Sequence, residues 1–170
     1  MTGAENEVIS FFINGEPEGK GRPRFRTIAG HVSVTTPEKT ASYENLIRLE
    51  YQRQCKGFRF ADDDMLTLEI LAVYRIPKSD SKKIQQAKEN GVIRPTKKPD
   101  MDNVCKVIAD ALNGYAYRDD TQIVDTVIRK YYGHMPFVKV VLHKSVENAL
   151  AERFVAYIKG IAETKKGMQK

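Results

Sequence analysis

Hydrophobic positions along the chain alternate between strand-like runs and helical stripes. Val8 to Ile13 (VISFFI) is short, apolar, and rich in β-branched and aromatic residues, and it stops at the turn pair Asn14-Gly15, which predicts a first strand. Glu16 to Arg26 mixes Pro and Gly with basic residues and reads as irregular or short strand, pairing with His31 to Val34 across Ala29-Gly30. Thr36 before Pro37 predicts an N-cap with proline in the first helical position, and Tyr43, Leu46, Ile47 and Tyr51 recur at helical spacing until Gly57. Met65 to Tyr74 is long and mostly apolar, as in a sheet interior, and Pro77 closes it. Ser79 to Asn90 predicts a polar helix stopped by Gly91. The prolines of Val92 to Pro99 make that stretch an exposed basic loop carrying Arg94, Lys97 and Lys98. Asp102 to Leu112 is a further helix, ended by Asn113-Gly114. Ile123 to Tyr132 and Phe137 to His143 predict a hairpin, and Glu147 to Thr164 a terminal helix with Leu150, Phe154, Ile158 and Ile161 on one side.

These elements predict a single α+β domain: a two-layer mixed β-sheet with helices mainly on one face, spanning 1–145, followed by a C-terminal helix and basic tail, 146–170. A length of 170 residues with 41% apolar content suits one such domain. No run approaches the ~20 apolar residues of a membrane span, and Met1 to Glu7 lacks the flank and apolar stretch of a secretory signal, so the expectation is a cytoplasmic protein without membrane contact. Cys55 and Cys105 cannot build a disulfide framework, and three scattered histidines argue against zinc. Gly15, Gly19 and Gly21 do not make a P-loop and no Ser-His-Asp order stands out, which sets aside a nucleotide cofactor and acyl transfer.

Charge adds more. The chain carries 28 Lys and Arg against 22 acids, a net of +6, which fits a polyanionic partner without requiring one. Its distribution is uneven. Asp100, Asp102, Asp110, Asp119, Asp120 and Asp125 crowd one stretch against only Lys106 and Arg118, so the basic excess lies elsewhere. A cationic surface holding phosphates around carboxylates holding metal ions has this form.

On the helix after Pro99, a 100° step puts Val104, Val107, Ile108 and Ala111 on one side and Asp102, Lys106 and Asp110 on the other, in one row. One reading is structural: Asp100 caps the helix and the row is a solvated face with ordinary ion pairs. The other is chemical. Asp100 and Asp102 at a helix entrance can converge on a hard cation, and the turn before Asp119-Asp120 can return that pair to the same helix end. Metal ions held by such acids activate water and neutralise the leaving oxygen in phosphodiester hydrolysis, and a lysine steadies the pentacoordinate phosphorus.

The run Lys98 to Asp125, KPDMDNVCKVIADALNGYAYRDDTQIVD, resembles the signature of the RusA-type Holliday-junction resolvases, many of them encoded by prophages. GKGRPRFR (Gly19 to Arg26) and TPEKTASYE (Thr36 to Glu44) are similar to its N-terminal half, and the weaker similarity extends over most of residues 1–145. The resemblance implies a homodimeric, Mg²⁺-dependent endodeoxyribonuclease, with Mn²⁺ as the alternative ion, that makes paired cuts in four-way junction DNA. It assigns metal binding to Asp100, Asp102 and Asp120 and catalysis to these acids with Lys106. The link Asn113 to Arg118 is one residue shorter than in some members, which leaves Asp119 open as the alternative to Asp120.

Lys20, Arg22, Arg24 and Arg26, interrupted by Pro23 and Phe25, are candidate DNA contacts, with Phe25 able to stack on bases. Lys97 and Lys98 join them through nearness to Asp100. Tyr115 and Tyr117 read equally as DNA contacts or packing, and Cys105 as core. Two rivals stay open: a non-catalytic DNA-binding or structural protein of recombination, and a metal nuclease acting on other branched or duplex DNA.

Overall fold

In a computed structural model the chain runs β1 (Val8–Asn14), β2 (Arg24–Ile28), β3 (His31–Thr35), α1 (Glu38–Cys55), β4 (Leu66–Arg75), α2 (Lys82–Glu89), α3 (Met101–Leu112), a 3-10 turn (Asp120–Gln122), β5 (Ile123–Gly133) and β6 (Phe137–Lys144). The structure describes residues 7–145 except 23, 29, 30 and 36, and gives only the backbone of 24–28 and 31–35. The expected helix Glu147 to Thr164 and the expected cap Thr36 lie outside the described residues.

β4 organises the sheet. Its alternate residues Leu66, Leu68, Ile70, Ala72 and Tyr74 are all buried, so it takes a neighbour on each edge, and the strand order is β1-β6-β4-β5. β1 and β6 are antiparallel, with Val8 opposite His143, and β6 runs antiparallel to β4, with Val73 opposite Phe137. β5 is parallel to β4, with Arg75 opposite Gly133. A parallel pair needs a long crossover, and α2 and α3 fill it. β2 and β3 pair separately, Ile28 opposite His31, as the sequence predicts. The sheet is mixed and the arrangement is α+β.

The expected β5–β6 hairpin does not form, because β4 lies between the two strands. Their short link crosses the end of β4, where the amide of Ile76 donates to the carbonyl of Gly133 at 3.0 Å. A Cβ at Gly133 would stand 2.8 Å from Val73 Cγ1, so the crossing takes a residue without a side chain. β5 becomes the edge strand and exposes Val124, Asp125, Thr126 and Arg129.

Two helix starts also move. Pro37 occupies the cap, with ψ 136°, and its carbonyl accepts the amides of Thr40 and Ala41, so α1 begins at Glu38. α2 begins at Lys82 rather than Ser79, because Asp80 closes a turn onto the carbonyl of Pro77 and Ser81 is extended. α1 packs on β1 and α3, and α3 on β5. The core joins Ile47 and Tyr51 of α1 and Val104, Val107, Ile108, Ala111 and Leu112 of α3 to Phe11, Ile13, Val138, Val140 and Leu142 of the sheet. Among the described residues no helix is long and apolar enough to cross a membrane.

Candidate active site

The apolar stripe of α3 buries Val104, Val107, Ile108 and Ala111, and this turns Asp102 and Lys106 out to solvent with Asp110 half-buried beyond them. Asp100 stands at the helix cap in extended backbone, ψ 157°, but its carboxylate makes no capping hydrogen bond. Its carbonyl accepts the amide of Val104 at 3.1 Å, so the helix starts without the side chain. The preceding loop is held from β5. Lys130 Nζ donates to the carbonyls of Lys97 at 2.7 Å and Pro99 at 2.9 Å, and Arg94 Nε donates to the carbonyl of Lys130 at 3.0 Å. Burial pulls the Lys130 ammonium below its ordinary pKa, partly countered by the charge of Asp100.

The chain returns from α3 through Gly114, whose φ of +74° suits glycine, and the Gly114 amide donates to the carbonyl of Tyr117 at 2.8 Å. Tyr117 is fully buried and its hydroxyl donates to the Ala109 carbonyl at 2.8 Å, locking the return strand beneath the helix. Tyr115 instead is exposed, with Arg48 over its ring at 5.6 Å. Gln122 pins the 3-10 turn: its amide donates to the carbonyls of Ala61 and Asp64, and its Oε1 accepts the Arg118 amide at 2.9 Å.

That turn gives the two acids different surroundings while their carboxyls stay within hydrogen-bond reach of each other. Asp119 accepts the Thr121 amide at 3.0 Å, and this hydrogen bond holds its carboxyl below the usual range. Asp120 faces inward, where burial first and then the charges of Asp119 and Asp110 raise its carboxyl, while Lys106 pulls it down. A cleft of about 530 Å³ is lined by Asp102, Cys105, Lys106, Asp120 and Thr126, so residues distant in sequence share one wall-to-wall space. Cys105 therefore borders this cleft as well as the core.

Asp100 lines a different cleft, on the other side of the first turn of α3. This one, about 620 Å³, is bordered by Lys20, Arg22, Lys98, Pro99 and Asn103. Gly19 and Gly21 explain the spacing around Lys20. A Cβ at Gly19 would meet Pro99 Cβ at 2.7 Å and one at Gly21 would meet Thr40 Oγ1 at 2.6 Å, so the chain lies flat on α3 and α1. The Lys20 amide donates to the Asn103 carbonyl at 2.9 Å. Its ammonium is gripped by Glu44 at 2.5 Å and Asp110 at 2.8 Å, so its charge is already matched by two carboxylates. Burial lowers the Lys20 pKa, but the hydrogen bonds to Asp110 and Glu44 outweigh it and the net shift is upward.

Of the other expected DNA contacts, Arg22 and Lys98 are exposed in the Asp100 cleft. Lys97 is exposed, its ammonium 5.5 Å from the centre of the Tyr74 ring. Of Arg24 and Arg26 only the backbone, on β2, is described. Among the described residues no three His, Cys, Asp or Glu side chains lie close enough together to hold a metal ion by themselves. The donor chemistry still suits Mg²⁺, which is commonly bound by one or two carboxylates completed by substrate phosphate and water. Glu44, Lys130 and Gln122 were not singled out by sequence reasoning. Glu44 and Gln122 stand inside the quoted motifs without a role, and Lys130 carries no local signal, since its partners are more than thirty positions away.

The chain is 35% identical over 144 residues to YqaN of Bacillus subtilis (strain 168), a protein described as uncharacterized, covering 81% of this chain and 97% of that protein. The profile of endodeoxyribonuclease RusA matches residues 14–143, a stretch that holds both clefts, the α3 acids and the 3-10 turn. The chain belongs to the RusA endodeoxyribonuclease family.

Proposed function

We propose that the protein is a Mg²⁺-dependent endonuclease that resolves Holliday junctions by paired symmetric cuts, acting as a homodimer. The observation that carries this reading is the cleft where Asp102 and Lys106 of α3 face Asp120 of the 3-10 turn, in a chain of the RusA endodeoxyribonuclease family. Asp102 and Asp120 would hold the ion together with substrate phosphate and water, and Asp100 lines the adjoining cleft across the first turn of α3, two residues from Asp102. When bound there, Mg²⁺ or Mn²⁺ supplies Lewis-acid chemistry, lowering the pKa of water and neutralising phosphate charge. Lys106 sets a fixed cation beside the reacting phosphate and stabilises the charge that gathers on its oxygens during displacement. Arg22 and Lys98 carry backbone phosphates beside the cleft of Asp100, and Lys97 extends that basic rim. Two opposed cuts need two sites related as the junction arms are, which a twofold dimer provides.

The test is a synthetic four-way junction incubated with and without Mg²⁺. Symmetric nicking that requires the ion is expected, and Asp102→Asn should slow it by about 10²-fold or more while junction binding persists. Binding without cutting in any divalent ion would instead make the protein a structural junction binder. Equal cutting of linear duplex or flaps would remove the junction from the reading.

A further inference from the structure

We infer that Lys130 is a positioning residue for Asp100: rooted in the sheet, its ammonium clamps the peptide that leads into α3 and thereby sets where the Asp100 carboxylate stands. This rests on the reading of Asp100 as part of the nuclease centre. Nothing in α3 itself locates that side chain, because the carboxylate makes no capping bond and only the backbone carbonyl of Asp100 enters the helix. The approach to Asp100 is anchored by the buried Pro95 but is short of backbone donors. Pro95 and Pro99 have no amide hydrogen, so this loop must be held largely by its carbonyls.

Lys130 supplies the donors. Its Nζ is 2.7 Å from the Lys97 carbonyl and 2.9 Å from that of Pro99, the second of which belongs to the peptide bond made to Asp100. The base of the clamp is rigid. Lys130 lies on β5 opposite Ala72 of the central strand, and its ammonium sits 5.2 Å from the centre of the fully buried Tyr74 ring. Arg94 ties the same loop to β5 a second time, through the Lys130 carbonyl and the Tyr131 ring at 4.3 Å. A lysine is suited to this task because it brings three donors and a positive charge beside an acid. Its loss would leave an exposed carbonyl at Lys97 and a part-buried one at Pro99 for water to satisfy, so the effect should be on position more than on stability.

The experiment uses the full chain with Lys130→Met and Lys130→Arg, read in two ways. Without DNA or metal, exchange of the Val104 amide, which bonds the Asp100 carbonyl, should be about tenfold faster in Lys130→Met and recover in Lys130→Arg, while the β4 and β6 amides stay unchanged. On a four-way junction with Mg²⁺, kcat should fall by about tenfold or more with KM unchanged, because a displacement of an ångström costs up to ~10²-fold. Unaltered exchange at Val104 would overturn the clamp, and a loss confined to KM would make Lys130 a phosphate anchor instead. A wild-type protein that cuts no junction would refute the nuclease reading of Asp100, while the exchange measurement would still decide the clamp. If Lys130→Met does not fold, Lys130→Gln, which keeps a donor without the charge, carries the same two readouts.

Discussion

Lys20 shows how one residue can have a different task from the one its neighbourhood suggests. In sequence it opens a basic run suited to phosphate, yet its ammonium is held between Glu44 of α1 and Asp110 of α3. Half-buried on both sides, the triad ties the N-terminal segment to the helix that carries the acids. Lys20→Met would leave Asp110 without its cation and Glu44 with only Arg48, at 3.6 Å, and should cost roughly 1–2 kcal/mol, between the values for surface and buried pairs, in urea denaturation. The folded pKa of Lys20 lies above 10.5, so the stabilisation is fully present below that pH and disappears as pH rises through the higher folded value. The stability difference between wild type and Lys20→Met should therefore be constant from neutral pH upward and shrink only in strong alkali. A difference that vanished near neutrality would contradict the ion triad. Asp119 and Asp120 make the same point in reverse: adjacent in sequence, one is engaged in its own turn and the other faces a cleft.

At the scale of elements, the α3 amphipathic pattern was legible because a helix of 3.6 residues per turn leaves no freedom about which side chains share a face. The partner faces were not legible. The β5–β6 hairpin fails because the apolar alternation of β4 competes for both edges, and pairing order depends on which strand most needs burial. The Gly19 to Gly21 segment is a second case, since its glycines record a close approach to α3 and α1 that no local pattern announces. Gly19→Ala should push the segment off Pro99 and Asn103 and cost about 1–3 kcal/mol, visible as a lowered urea midpoint with unchanged slope. Gly114→Ala offers a contrast: no atom lies near its Cβ position, and the cost there should come from the positive φ alone, about 1 kcal/mol.

For the whole molecule, the core is apolar throughout, from Phe11 and Ile13 in β1 to Ile108 and Leu112 in α3, and it contains none of the acids assigned to the site. A metal ion held at the clefts would thus serve reaction and not folding. Chelation with EDTA should abolish junction cutting while moving the melting temperature by less than about 2 °C. A large loss of stability on chelation would point to a structural ion and contradict this division. The two clefts on either side of α3 each mix carboxylates with cations, Asp100 and Glu18 with Arg22 and Lys98 in one and Asp102 and Asp120 with Lys106 in the other, so basic groups that can hold a polyanion stand beside the acids.

The amino-acid order alone settled which residues could be acid, base or core: the α3 stripe, the row of Asp102 and Lys106, and the acidic pair all follow from local periodicity and chain reversal. Folding decided what each then meets. Asp120 joins Lys106 in one cleft because Tyr117 and Gln122 lock the return turn, Asp100 opens into a separate cleft, and Lys130 reaches its loop from a strand that pairs far away. Periodicity is a property of a few neighbouring residues, whereas these juxtapositions depend on sheet order and burial, which the whole chain settles together.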